Sequence, residues 1–181
     1  METAFQKKIA NSTAHRPIRD EISGMVINDL SLLPEMMAMA LNPDDKNHYK
    51  ACWSLELVME KDIMWLRPYL NDLCERLSLY KHEGALRSVS KITMFAAIEE
   101  DKMDNFLTSA MLQKMTEACF DWLIGNAKVA TKAYAMRALY LFGKKEEWIY
   151  PELKMILQQD FPHHSAGYKA AAKDILKKIK A

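Results

Sequence analysis

The chain has 181 residues, enough for one domain with a substantial core or for a short repeat array. Half of them are hydrophobic, yet five glycines and six prolines leave little material for hairpins, and no stretch alternates with period two. No apolar run approaches the roughly 20 residues that span a bilayer, and the formal net charge of +1 excludes neither an acidic nor a basic partner.

In chain order, the first dozen residues read as a short helix, and Met1-Glu2-Thr3-Ala4-Phe5-Gln6-Lys7-Lys8 lacks the apolar core of a signal peptide. Ile18, Ile22, Met25 and Val26 recur at helical spacing after Arg16-Pro17, which predicts a helix to about Asn28. A Met-rich helix over 31–41 follows, ended by Asn42-Pro43. Segment 47–60 carries Cys52, Leu55 and Met59 on one side. Segment 64–79 reads as one helix whose stripe of Leu66, Leu70, Leu73, Cys74 and Leu77 is wide enough to pack on two neighbours. Over 83–99, Leu86, Val89, Ile92, Phe95 and Ala96 share a face. Asp104 is the expected N-cap of a long helix through Leu123, and Gly125-Asn126 its expected left-handed C-cap. Helices over 128–142, stopped by Gly143, and over 148–159 come next. Phe161-Pro162-His163-His164 then breaks the chain before a final helix over 165–179, capped by Ser165. Short connections suit antiparallel helix pairs, and the lack of Gly-, Ser- or Pro-rich linkers predicts a single domain, 1–181, without a hinge.

A basic residue followed by a small one recurs four times: Lys50-Ala51-Cys52-Trp53, Arg87-Ser88-Val89-Ser90, Lys132-Ala133-Tyr134-Ala135 and Lys169-Ala170-Ala171-Ala172. The spacings are 37, 45 and 37 residues, and seven residues beyond each start stands Leu57, Met94, Leu139 or Leu176. Trp65-Leu66-Arg67-Pro68-Tyr69-Leu70 matches Trp148-Ile149-Tyr150-Pro151-Glu152-Leu153 in type at four of six places, with Ser31-Leu32-Leu33-Pro34-Glu35-Met36 a weaker copy. Proline fits only the first turn of a helix, where its missing N–H costs nothing. Each repeat therefore reads as helix, short turn and proline-started second helix. The Arg87 repeat lacks that proline and is followed by the 45-residue spacing, so it carries a longer second helix or loop.

A helical period near 40 residues, the basic-small dipeptides and the prolines together resemble the HEAT-repeat, armadillo-like α-solenoid family. The resemblance covers 46–181 and, more loosely, 17–43. It implies an all-α fold, a right-handed α–α superhelix of about four to five antiparallel helix pairs. Its parts are a degenerate N-terminal repeat over 17–45, repeats over 46–82, 83–127 and 128–164, and a capping helix over 165–181. The family's members are typically scaffolds holding a protein, a peptide or a nucleic acid along a concave face. A weaker similarity is to the HEAT-like DNA alkylpurine glycosylases, which use tryptophans, an aspartate and an arginine. Asp121-Trp122 and Arg137 supply those residue types, but the adjacent order departs from that branch, and none of the three is assigned a catalytic role.

Catalytic and cofactor chemistry finds no foothold in the residues. There is no GxSxG elbow, GxxxxGK[ST] loop or GxGxxG, and no HxxxH or HExxH spacing among the five histidines. His163-His164 read as surface loop residues, and Glu99-Glu100-Asp101 with Asp104 as solvated turn residues without calcium-loop spacing. No cofactor and no metal site are predicted. Cys52, Cys74 and Cys119 lie in apolar stripes, which predicts reduced core thiols and a cytoplasmic address.

Binding is a better prospect. Outside the apolar stripe of 64–79 stand Arg67, Tyr69, Asp72 and Arg76, whose mixed charge and aromatic ring suit a peptide. Lys50, Arg87, Lys132 and Lys169 form a basic ladder, about 10 Å apart if neighbouring helices pack normally. The ladder either follows a polyanion or is spent on pairing and snorkelling within the fold. Net charge runs from −3 over 1–60 through −1 over 61–120 to +5 over 121–181, the excess lying mostly on Lys169, Lys173, Lys177, Lys178 and Lys180. A solvated face of a capping helix accounts for it. Met36, Met37 and Met39 predict a partly exposed pliable face at an end repeat, open to a partner or a second copy of the chain. The reading is a non-catalytic, non-membrane scaffold for a protein or peptide, with DNA binding or alkylated-base repair as the alternative.

Overall fold

The computed structural model describes residues 2–180, apart from the Lys180 side chain. Met1, Ala181 and that side chain, which belong to the expected domain limits and basic end, lie outside the described residues. Helix α1 (Ala4–Ala10) exists because Thr3 and Gln6 form a capping box, each side chain accepting the other's backbone N–H. Helix α2 (Arg16–Asn28) has proline in its first turn. Then come α3 (Leu33–Ala40), α4 (His48–Lys61), α5 (Leu70–Arg76), α6 (Glu83–Lys102), α7 (Ser109–Ile124), α8 (Val129–Phe142), α9 (Ile149–Asp160) and α10 (Ala166–Lys180). Among the described residues there is no strand. Contacts divide the chain into two compact units, Met1–Ile92 and Thr93–Ala181.

In the first unit α4 is the central element, packed against α1, α2 and α3. Ile22, Val26, Leu55, Val58 and Met59 are buried there. Burying each such side chain contributes roughly 1.5–3 kcal/mol. The C-terminal carbonyl of α3 at Ala40 is satisfied by the Tyr80 hydroxyl, which donates at 2.7 Å. Met36, Met37 and Met39 are buried, contrary to the expected exposed face. Both α1 and α4 pack on α3, so the methionines have neighbours on two sides.

Segment 64–79 is not one α-helix. A 3-10 turn (Ile63–Tyr69) precedes α5, and a second (Leu77–Leu79) follows it. Pro68 lies inside the first turn and has no N–H to give, so the tighter winding persists until Tyr69. Asp62 starts that turn by accepting from the Met64 N–H at 2.9 Å.

In the second unit α8 packs on α7, α9 and α10. Its core holds Met115, Cys119, Leu123, Met136, Leu139, Phe142, Leu153, Leu157 and Tyr168. The N-cap of α7 is Thr108, whose hydroxyl accepts from Met111 N–H at 3.2 Å, and not Asp104. Two features of segment 103–108 displace the start of α7: Asn105 sits at φ 74°, and Glu100 takes the Leu107 N–H at 2.7 Å. The 45-residue spacing thus holds both a loop and a 16-residue second helix, against 7 residues in α5. Gly125 is not left-handed (φ −77°). Glycine is needed there because a Cβ would stand 2.8 Å from the Asp121 carbonyl oxygen. Ser165 Oγ accepts from Tyr168 N–H at 3.5 Å, the expected cap of α10.

Candidate functional site

Three of the four predicted binding residues meet in one place. Tyr69, Asp72 and Arg76 line a groove of about 460 Å³ whose opposite wall is Pro34 and Met37 of α3, its C-cap Leu41 and the Asn42-Pro43-Asp44 turn. They converge because the 3-10 turn ends at Tyr69, setting Asp72 and Arg76 one and two turns further along the same face of α5. Arg76 Nη1 donates to the Asp72 carbonyl at 3.0 Å and stands 3.7 Å from its carboxylate, which holds the guanidinium at the rim. Buried Met37 and Leu41 supply an apolar floor, and Leu79, 54% exposed, an apolar edge. Arg67 is exposed and outside the groove lining.

The four ladder residues each have an intramolecular contact. Lys50 donates to the Ala10 carbonyl at the end of α1, and Lys132 to the Leu123 carbonyl near the end of α7 at 2.7 Å. A lysine in a helix's first turns opposes that helix's own dipole, but here each ammonium meets the C-terminal carbonyls of another helix, where positive charge is favoured. Burial lowers the pKa of Lys132. Arg87 lies 3.4 Å from Glu56, and Lys169 stands 5.9 Å from the centre of the Phe161 ring. Of the residues seven positions on, Leu57, Met94 and Leu139 are buried and Leu176 is half-buried.

Sequence reasoning missed Glu56. It is 1% exposed in the apolar run Leu55-Glu56-Leu57-Val58-Met59. A carboxylate in such a run must be paired, and that was the available signal. Arg19 lies 3.3 Å away, Lys91 3.3 Å, Arg87 3.4 Å, and the Ser88 hydroxyl donates at 2.8 Å. Of the acidic turn expected to be solvated, Asp101 and Asp104 are exposed and only Glu100 is out of solvent. Glu100 is buried, Asp101 pairs with Lys144 at 2.7 Å, and Asp104 pairs with Lys145, whose ammonium lowers the Asp104 pKa.

A family model described as HEAT repeat domain matches residues 5–179. The chain belongs to the HEAT-repeat family. Comparison with curated proteins and with solved structures gave no match. This HEAT-repeat chain is all-α with helices packed in sequential pairs, as the period near 40 residues predicts. Among the described residues no helix is long and apolar enough to cross a membrane, and no three metal-ligating side chains cluster. Its three cysteines are buried thiols, and burial pushes Cys52 up to about 12. Asp121 and Arg137 are exposed, whereas Trp122 is buried. His164 stacks on Tyr168 at 3.9 Å and lies 3.7 Å from Asp160, so of the loop pair only His163 is exposed.

Proposed function

We infer that this HEAT-repeat chain is a non-catalytic protein-interaction scaffold whose groove beside α5 takes a peptide segment of a partner protein. The observation that carries the reading is the joining of Tyr69, Asp72 and Arg76 with an apolar floor from α3 in one groove. An aromatic ring and an anchored guanidinium are the side chains that most often supply binding energy at interfaces, and both charge signs at the rim favour a peptide over a uniform polyanion. HEAT-repeat proteins typically act as scaffolds, which agrees with this use. The repeats 46–82, 83–127 and 128–164 are its structural units. Buried thiols fit a reducing compartment, and the cytoplasm is the address we assign.

Selection of peptides from a random displayed library tests the reading, with duplex DNA as the control ligand. Selected peptides should lose about tenfold or more in affinity on Tyr69→Ala or Arg76→Ala, a change of ~1.4 kcal/mol. Peptides that bind both variants as tightly as the parent, or a preference for the duplex, would overturn it.

A further inference from the structure

A second cleft, of about 440 Å³, lies within the second unit and is lined by Leu112, Gln113, Thr116 and Glu117 of α7 with Glu146 and Trp148 ahead of α9. Its chemistry differs from that of the α5 groove. Trp148 is 54% exposed, an unusual position for an indole, and its ring is held by stacking on Phe120 at 6.1 Å and 27°. Gln113 donates to Glu117 at 2.9 Å and fixes that carboxylate. Asp121, one turn beyond Glu117, and Glu147, beside Glu146, are also exposed acids. The neighbouring Lys144 and Lys145 are engaged with Asp101 and Asp104. The Thr116 hydroxyl oxygen is fully buried in the wall of the cleft and has no hydrogen-bond partner. A buried hydroxyl left unmatched costs free energy that an incoming N–H donor recovers.

We propose that this cleft is a binding site for an arginine side chain presented by a partner peptide. The guanidinium is planar and offers five N–H donors. Its face stacks on the Trp148 ring, its charge is met by Glu117 and Glu146, and one N–H is taken by the Thr116 hydroxyl. An aromatic face carries negative quadrupole potential and attracts a cation, more so where water is displaced. A phosphate or other anion would instead meet the like charges of Glu117 and Glu146. The site is independent of the α5 groove and of the peptide assigned there.

The test is a titration of the isotope-labelled full chain with three glycine-flanked peptides, carrying arginine, its neutral isostere citrulline, or glutamate. The indole N–H resonance of Trp148, assigned by Trp148→Phe, is the readout. The arginine peptide should give a saturable shift, and citrulline should bind at least tenfold more weakly. Glu117→Gln and Glu146→Gln should weaken the arginine peptide similarly, whereas Tyr69→Ala in the other groove should leave it unchanged. Thr116→Val keeps the shape and removes the hydroxyl. It should weaken the arginine peptide several-fold while leaving the thermal midpoint equal or higher, which a merely structural threonine would not do. No shift at millimolar peptide, or equal shifts with citrulline or glutamate, would overturn the assignment.

Discussion

The Arg19 guanidinium lies 3.3 Å from the Glu56 carboxylate, and both side chains are almost wholly out of solvent. Arg19 also donates to the Trp53 carbonyl at 2.9 and 3.1 Å, so α2 is fastened to α4 by hydrogen bonds as well as charge. Glu56 is shared further with Lys91, Arg87 and Ser88 of α6. One carboxylate thus ties together α2, α4 and the first half of α6.

Glu56→Gln keeps the shape and leaves Arg19 and Lys91 without their shared countercharge. The expected loss is about 3–5 kcal/mol, the usual consequence of breaking a buried pair from one side. Urea unfolding with an unchanged slope measures it. A loss below about 1 kcal/mol would mean that water or neighbouring groups already satisfy the cations.

Gly143 follows α8 at φ −60°, a conformation open to any residue, so its reason is contact. A Cβ there would overlap Tyr150 Cε1 and stand 2.6 Å from Cδ1. Gly143→Ala should destabilise by about 1–3 kcal/mol through overpacking, and Tyr150→Ala in the same chain should remove most of that penalty. An equal penalty in both backgrounds would place the cause elsewhere.

His82 stacks on Tyr49 at 3.8 Å, and its Nδ1 accepts from Gly84 N–H at 3.0 Å, a bond open only to the unprotonated nitrogen. Partial burial first, and the nearby His48 second, lower its pKa below the ordinary histidine value. The unfolded chain therefore binds the proton more readily. The contribution is complete above the unfolded value and is lost as pH falls through the folded one. Thermal midpoints should drop on acidification below about pH 6.5, and His82→Gln should flatten that slope. Identical slopes for the two proteins would assign the acid sensitivity to other groups.

The helices were legible because their signals are local. Proline marks the first turns of α3 and α9 in the structure as it does in the sequence. Three groove residues were legible for the same reason, since Tyr69, Asp72 and Arg76 share one short face. The opposite wall was not, because Met37 and Leu41 reach the groove only through the packing of α3. Glu56 could be flagged as a charge needing partners, but its partners come from segments more than 30 residues away on either side. Asp104 and Thr108 are both acceptable caps by type. The choice fell to the Glu100–Leu107 bond across the turn, which no local pattern announces.

The proposed scaffold holds its partner protein through the groove of Tyr69 and Arg76. Affinity capture of the tagged chain from native lysate, with and without nuclease, tests it against the Tyr69→Ala, Arg76→Ala double variant. One stoichiometric protein that survives nuclease and is lost with the double variant is the expected result. A collection of proteins that disappears with nuclease, or a partner retained equally by the double variant, would contradict it.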